Sequence, residues 1–438
     1  MKSVCGFSKL SKEEKINWLI NHYMPESERS GDDLIKFWHQ DDNLQKTFDE
    51  FSENTITNYY LPYGVAPNFL INEQLYCVPM VVEESSVVAA AAASAKIWME
   101  RGGFKAQVLG SQKIGQIHFL YSGRLEPLKK FFELRKDLLV QSVSYLTSKM
   151  QARGGGLKDI ELIDLTKAEK NYFQIKVYFE TCDAMGANFI NSVLEEMSKV
   201  LVQEVSKFSL FSRDEKQIKI IMAILSNYTP DSLVESSVEC SITDLDFGQM
   251  PAQEFAEKFA MAVRISQIDV HRATTHNKGI LNGIDAVVLA TGNDFRAVEA
   301  CIHTYAARNG QYRGLTEVSC HENTFKYKIK IPLALGTVGG LTTLHPLAKT
   351  SLKLLGNPTT RELSQIVASV GLAQNFAAIK SLITTGIQKG HMKMHLLNIL
   401  NMFECNQSEK AAAKQYFKDK AIVYKDVEQF IKNVREYQ

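Results

Sequence analysis

Two ionisable residues bracket the most distinctive stretch of the chain, His276–Arg296, which reads H-N-K-G-I-L-N-G-I-D-A-V-V-L-A-T-G-N-D-F-R. Lys278 stands beside a glycine near its start, and Asp294 follows Thr291-Gly292-Asn293 at its end. The apolar run between them, Ala286–Ala290, predicts a buried strand or short helix between two tight corners. A lysine and an aspartate at opposite ends of a buried segment can pair in a low-dielectric pocket. There the carboxylate keeps the ammonium charged although burial favours losing the proton. A cation held in that way can stabilise an oxyanion developing on a carbonyl. Read alone, most such pairs are structural.

Other residues could add to that chemistry. Glu83 and Glu84 close an apolar, β-branched run, Leu75–Val82, and precede a helix predicted over Val87–Glu100. Ser85 and Ser86 could cap that helix, and Gly102-Gly103 could stop it. A carboxylate at such a corner reads as a charge favoured by the helix start. Asp183–Asn188 joins a strand to a helix through Gly186, a shape that can receive phosphate on backbone N–H groups, although one glycine also makes a plain turn. Arg272 carries the planar fork that binds a carboxylate through two hydrogen bonds. Without a partner in view it reads as a surface arginine. Asn282 reads as a turn residue and Leu335–Gly340 as a glycine-rich loop. His391 and His395 share a helical face, but no H-E-x-x-H and no neighbouring carboxylate support a metal site.

The elements that must position these residues fall into a mixed α+β pattern. Ser11 and Glu14 form a capping box ahead of a helix through Ile16–Tyr23. From Gly115 the segments Ile117–Tyr121, Leu128–Met150, Ile160–Leu165, Tyr172–Phe179, Ala187–Val205 and Ile218–Leu225 alternate as β-α-β-β-α-β. That is the ferredoxin-like split unit, inserted whole into a larger domain. The expected division is a large domain over residues 1–110 and 229–386, a ferredoxin-like domain over 111–228, and a polar, lysine-rich helical flap over 387–438. No G-x-G-x-x-G follows a strand, which argues against a Rossmann unit.

Composition narrows the function classes. The chain has 438 residues, 45% apolar and 23% charged, with a net charge of +1, so no global field recruits nucleic acid or a membrane surface. No uninterrupted apolar window approaches the ~18 residues of a membrane span, and Met1–Lys15 lacks a signal core. Seven cysteines without a C-x-x-C fit a reducing compartment, the cytoplasm, and supply no zinc knuckle.

The stretch N-K-G-I-L-N-G-I-D…A-T-G-N-D-F-R-A-V-E-A resembles the core of the class II hydroxymethylglutaryl-CoA (HMG-CoA) reductases. Five further blocks agree and stand in the family's order: Glu53-Asn54-Thr55-Ile56, Leu61–Ala66, Val78–Glu84, Asp183–Asn188 and Gly390-His391-Met392. The resemblance implies a large substrate domain, an inserted nicotinamide-cofactor domain and a mobile C-terminal flap. It implies two-hydride reduction of the HMG-CoA thioester to mevalonate and CoA by a homodimer or an assembly of dimers, with no metal.

Residue by residue, the resemblance makes Lys278 the oxyanion partner, Asp294 the group that holds it, Glu84 the proton donor and His391 the acid for the departing thiolate. It makes Arg272, Ser86 and Asn282 substrate contacts and Asp183, Met185, Gly186 and Asn188 part of the cofactor site. Thr147 falls where NADH-preferring relatives carry an aspartate; with Ser148, Lys149 and Arg153 nearby, it implies NADPH, with NADH as the alternative. Two positions depart from the family: Thr57 stands where glycine is usual and Ser85 where proline is usual. The alternatives are mevalonate oxidation with NAD, a catalytically silent CoA-binding protein on the same fold, and a Schiff-base enzyme using Lys278. An aspartate beside Lys278 opposes the last, because a nucleophilic lysine needs a depressed pKa.

Overall fold

A computed structural model describes residues 4–24, 31–384, 386, 396–418, 420 and 422–436. The chain divides into two compact units after Pro62, a boundary not read from the sequence. In the first unit, α1 (Lys12–Tyr23) has the capping box foreseen at its start: Glu14 N donates to Ser11 Oγ at 3.2 Å and Ser11 N to Glu14 Oε2 at 2.7 Å. Lys12 ties α1 to α2 (Asp42–Asp49) through Asp49 at 2.9 Å. Thr57, in place of the family's glycine, donates its hydroxyl to the Leu34 carbonyl at 2.6 Å.

The second unit begins with a hairpin, β1 (Tyr63–Ile71) and β2 (Gln74–Val81). It turns on Asn72 and Glu73, both at positive φ, the geometry whose twist matches the strands. The helix α3 (Val87–Met99) and strand β3 (Lys105–Val108) follow.

A complete α/β layer is then inserted. It comprises β4 (Lys113–Tyr121), α4 (Leu125–Ser142), α5 (Ser144–Gln151), β5 (Gly156–Asp164), β6 (Tyr172–Glu180), α6 (Ala187–Lys207) and β7 (Ile218–Ser226). Its antiparallel sheet runs β5-β6-β4-β7, the strand order of the split β-α-β unit. Phe119, Ile175, Phe179, Leu194 and Met197 fill its core. The single long helix expected over Leu128–Met150 is two, broken at Val143 (φ −103°). Just before the break, Ser142 turns its hydroxyl onto the Leu139 carbonyl and competes with the main-chain ladder.

The chain then resumes the large sheet. β8 (Leu233–Ser241) pairs antiparallel with β3, and β9 (Thr316–His321) and β10 (Thr324–Pro332) complete the order β3-β8-β10-β9. Around it lie α7 (Ala252–Ile268), α8 (Val270–Ala290), α9 (Phe295–Ala306), α10 (Pro346–Leu354) and α11 (Thr360–Ile383). Trp98, Phe259, Phe325 and Phe376 cluster in the core, edge to face at 5.0 Å between centroids for Trp98–Phe376 and 5.3 Å for Phe259–Phe325. By length and composition α11 could cross a membrane, but 67% of its most apolar window lies inside the protein. Such burial suits a core helix. Helical residues 396–402, α12 (Gln407–Tyr416) and α13 (Tyr424–Glu436) share a small core of their own around Leu400, Phe417 and Val427.

Candidate active site

The site grows from α8. Asp269 caps it, accepting from His271 N at 3.2 Å and Arg272 N at 3.1 Å. Its buried face carries His276, Asn277, Ile280, Leu281, Ile284 and Val287, at helical spacing. The polar members of that face are bonded to distant segments, although His276 Nδ1 is buried without a hydrogen-bond partner among the described residues. His276 Nε2 pairs with Thr316 Oγ1 at 2.7 Å, and Asn277 donates to the Arg313 carbonyl at 2.9 Å. Burial, with Arg272 adding to it, pushes the His276 imidazole down to about 3, so it stays neutral.

The opposite face presents Lys278 and, one turn later, Asn282. Both meet the carboxylate that follows β2. Lys278 Nζ donates to Glu84 Oε2 at 2.6 Å, and Asn282 Nδ2 lies 3.5 Å from the same oxygen. The pair is partly exposed, with 59% of the Lys278 side chain and 38% of the Glu84 side chain accessible, so an incoming ligand can reach it. Glu83, its neighbour, points to solvent.

Two expectations are corrected here. Lys278-Gly279 is no corner, because α8 runs unbroken from Val270 to Ala290. Gly283 serves packing: a Cβ there would lie 2.9 Å from Gln374 Cβ and 3.0 Å from the Val370 carbonyl of α11. Asp294, in consequence, does not meet Lys278 within one chain. At ~1.5 Å rise per residue, the helix between Lys278 and Ala290 alone spans about 18 Å. Asp294 instead caps α9, accepting from Arg296 N at 3.1 Å and Ala297 N at 3.2 Å, and pairs with the Arg296 guanidinium at 3.3 Å.

Ser86 also departs from its expected role. It sits in the left-handed region at φ 74°, and its hydroxyl makes no capping bond to α3. A non-glycine residue held there is strained, and such strain gathers at functional corners. Arg272 is partly buried, burial lowers its guanidinium, and among the described residues it has no carboxylate partner. His391 and His395 lie outside the described residues. Among those described, no cluster of three or more His, Cys, Asp or Glu could hold a metal ion.

A second set of groups converges between β6 and α6. Gly186 is left-handed (φ 91°), and a Cβ there would lie 2.5 Å from Thr181 Cγ2. Asp183 is spent on the scaffold. Its carboxylate accepts from Thr360 N at 2.8 Å, and its carbonyl accepts from Thr337 N at 2.9 Å. Gly336 explains the glycine-rich loop, because a Cβ on it would meet Met185 N at 2.6 Å. Its N–H donates to Asn293 Oδ1 at 2.8 Å, so the D-A-M-G, T-G-N-D and glycine-rich segments form one assembly. Met185 is partly buried in it, while Asn188 is exposed on the first turn of α6. A cavity of 380 Å³ adjoins the assembly, lined by Lys113, Gly154, Cys182, Asp183 and Arg361 among others.

Thr147 lies elsewhere than its expected role requires. It is 1% exposed, and its hydroxyl donates to the Ser144 carbonyl at 3.2 Å. The exposed groups beside it are Ser148, Lys149 and Arg153. Of these, Arg153 is tied to the residue just before the D-A-M-G segment, since its main-chain carbonyl accepts from Cys182 Sγ at 3.2 Å.

Motif spacing did not single out Lys113, which the structure places in the middle of this assembly. A signal was present: Lys113, Gly115, Ile117, Phe119 and Tyr121 share one face of β4, and that face is buried.

An acid–lysine pair open to solvent can polarise a carbonyl and pass it a proton, and a family match makes the chain an oxidoreductase. The chain belongs to the hydroxymethylglutaryl-coenzyme A reductase family, whose profile matches residues 13–396. It is 36% identical to the 3-hydroxy-3-methylglutaryl-coenzyme A reductase of Archaeoglobus fulgidus, over 91% of this chain and 86% of that one. It is 31% identical to the probable enzyme of Borreliella burgdorferi, over 92% and 90%. Among solved structures it resembles the class II reductase of Streptococcus pneumoniae bound to NADPH in open conformations. That match has a TM-score of 0.72 and 37% identity, covering 87% of this chain and all of that one.

Proposed function

We propose that this chain reduces the thioester of HMG-CoA to mevalonate and free CoA, with NADPH as the reductant. The observation that carries this reading is the contact of Lys278 with Glu84, which brings a cation and a carboxyl group within reach of one carbonyl oxygen. Lys278 stabilises the oxyanion that develops when the thioester carbonyl is reduced. Glu84 then supplies the proton that the aldehyde oxygen needs on becoming an alcohol. His391 protonates the departing thiolate, a task suited to an imidazole near neutral pH. Arg272, with no carboxylate partner among the described residues, binds the free carboxylate of the substrate, with Ser86 and Asn282 beside it.

The cofactor site is the open start of α6. Asp183 and Met185 shape the segment, and Gly186 and Asn188 present backbone N–H groups where a phosphate would sit. When bound, NADPH supplies the hydrides. The NADPH-bound relative and the exposed Arg153 support NADPH over NADH, whereas the buried Thr147 does so only by carrying no acid. The large, ferredoxin-like and flap domains keep the divisions 1–110 with 229–386, 111–228 and 387–438, the last carrying His391.

Asp294 supports a homodimer. It can join Lys278 only from a second copy, and exposed Leu341, Leu344 and Leu347 offer apolar surface close in sequence to the glycine-rich loop. Seven free cysteines support a cytoplasmic location. The deciding experiment follows NADPH oxidation on adding HMG-CoA and identifies mevalonate as the product. Oxidation of mevalonate with NAD alone would overturn the reductive direction, and no turnover either way would leave a silent binding protein.

A further inference from the structure

Lys113 is 6% exposed and belongs to the buried face of β4, an expensive place for a charge. Its ammonium makes no ion pair among the described residues. It spends its three donors on one short segment: Thr181 Oγ1 at 2.6 Å, the Ala184 carbonyl at 2.8 Å and the Met185 carbonyl at 2.8 Å. An ammonium has three N–H donors and no acceptor, so nothing is left over for a ligand. On the other side of that segment, the N–H groups of Gly186, Ala187 and Asn188 find no acceptor among the described residues.

We infer that Lys113 is a positioning residue for the cofactor site. By drawing the Ala184 and Met185 carbonyls inward, it keeps the N–H groups at the start of α6 turned out to receive a phosphate of the reduced nicotinamide cofactor. This role rests on the function proposed above. It requires the charged form, because a neutral amine has only two donors and turns its lone pair onto an oxygen. Burial brings the Lys113 ammonium down to about 8, so the device weakens just above neutral pH. The other charged or titratable groups around it are Glu180, Cys182 and Asp183 on the adjoining segment, Arg361 across the cavity and Cys301 behind. Burial pushes both thiols upward, away from the window in which Lys113 titrates.

The test measures dissociation constants for NADPH and NADH, and KM for HMG-CoA, on full-length wild type and Lys113→Met between pH 6.5 and 9. Wild type should bind both cofactors progressively more weakly above pH 8. Using NADH as well removes the extra phosphate as the cause. Lys113→Met should bind both about tenfold more weakly at pH 7, the scale of one lost charge-assisted hydrogen bond. Its cofactor affinity should be flat with pH, and its KM for HMG-CoA should change less than about twofold. Wild-type affinity that is constant from pH 7 to 9 overturns the role, and so decides the matter even if the variant does not fold. A folded variant that matches wild type in affinity and pH profile overturns it too. A wild type that neither binds cofactor nor turns over HMG-CoA overturns the proposed function, and this role with it.

Discussion

Lys278 Nζ lies 2.6 Å from Glu84 Oε2, joining the middle of α8 to the corner after β2 across nearly two hundred positions of sequence. Neither partner is sealed away from solvent. The substrate oxygen can therefore enter between cation and acid without dismantling a buried ion pair, and both groups can act on the same atom.

Lys278→Ala removes the cation from that oxygen. Turnover of HMG-CoA should fall by at least 10²–10³, the ~3–4 kcal/mol typical of losing an oxyanion partner. Circular dichroism should be unchanged, because the side chain lies on the exposed face of α8. Near-normal kcat would remove Lys278 from the chemistry.

Glu84→Gln keeps a polar oxygen facing Lys278 but cannot donate a carboxylic proton. Thioester reduction should be lost while HMG-CoA still binds, as titration calorimetry would record. If kcat survives, a water or the exposed Glu83 supplies the proton.

Arg153→Ala tests which cation discriminates the cofactors. Of Ser148, Lys149 and Arg153, it is Arg153 whose main chain is bonded to Cys182, just before the D-A-M-G segment. KM for NADPH should rise several-fold while KM for NADH stays nearly constant, since a phosphate oxygen gains a charge-assisted bond that a hydroxyl does not. Equal effects on both cofactors would place the discriminating group elsewhere.

Gly283→Ala drives a methyl into Gln374 and the Val370 carbonyl, where α8 and α11 touch. Overpacking of this kind costs about 1–3 kcal/mol, read as a lowered Tm. It should also lower kcat, because α8 carries Lys278. A variant as stable as wild type would show that the two helices can separate freely.

Asp285 adds a pH dependence. Burial, reinforced by Glu299 on α9, raises its carboxyl to about 8 from an ordinary 3.8, and its Oδ1 is buried without a hydrogen-bond partner. The folded value lies above the unfolded one. Its contribution to stability is thus fully present below 3.8 and is lost as pH rises through about 8. Tm should fall as pH rises from about 3.8 towards about 8 and level off above that, and Asp285→Asn should flatten that fall. An unchanged slope in the variant would exclude Asp285 as its source.

The small sheet was legible because its strands alternate and its helices are long enough to betray their period. α8 was misread for a physical reason. His276 and Asn277 occupy its buried face, bonded to groups far along the chain, and they interrupt the apolar rhythm that marks a helix. Its glycines looked like corners when one of them is a contact surface. Lys113 was invisible for a related reason, since its acceptors lie some seventy residues away and only the fold brings them to it. Glu84 and Lys278 were identified by resemblance, but their mutual contact was not.

The pairing of β3 with β8 has a consequence for folding and evolution. Val108 and Val234 are neighbours across that ladder, so residues 109–233 are, topologically, an enlarged hairpin loop. Closing a loop of that length instead of a four-residue turn takes about five doublings, roughly 3 kcal/mol at ~0.6 kcal/mol each. Such a penalty is small enough for one insertion event to have added a whole sheet without disturbing its host. By the same logic, a short turn joining Val108 to Val234 should restore an uninterrupted host sheet. The two adjacent strand ends are also the only covalent passage between host and guest, which makes Leu109 and Leu233 the natural pivot for any rocking of one against the other.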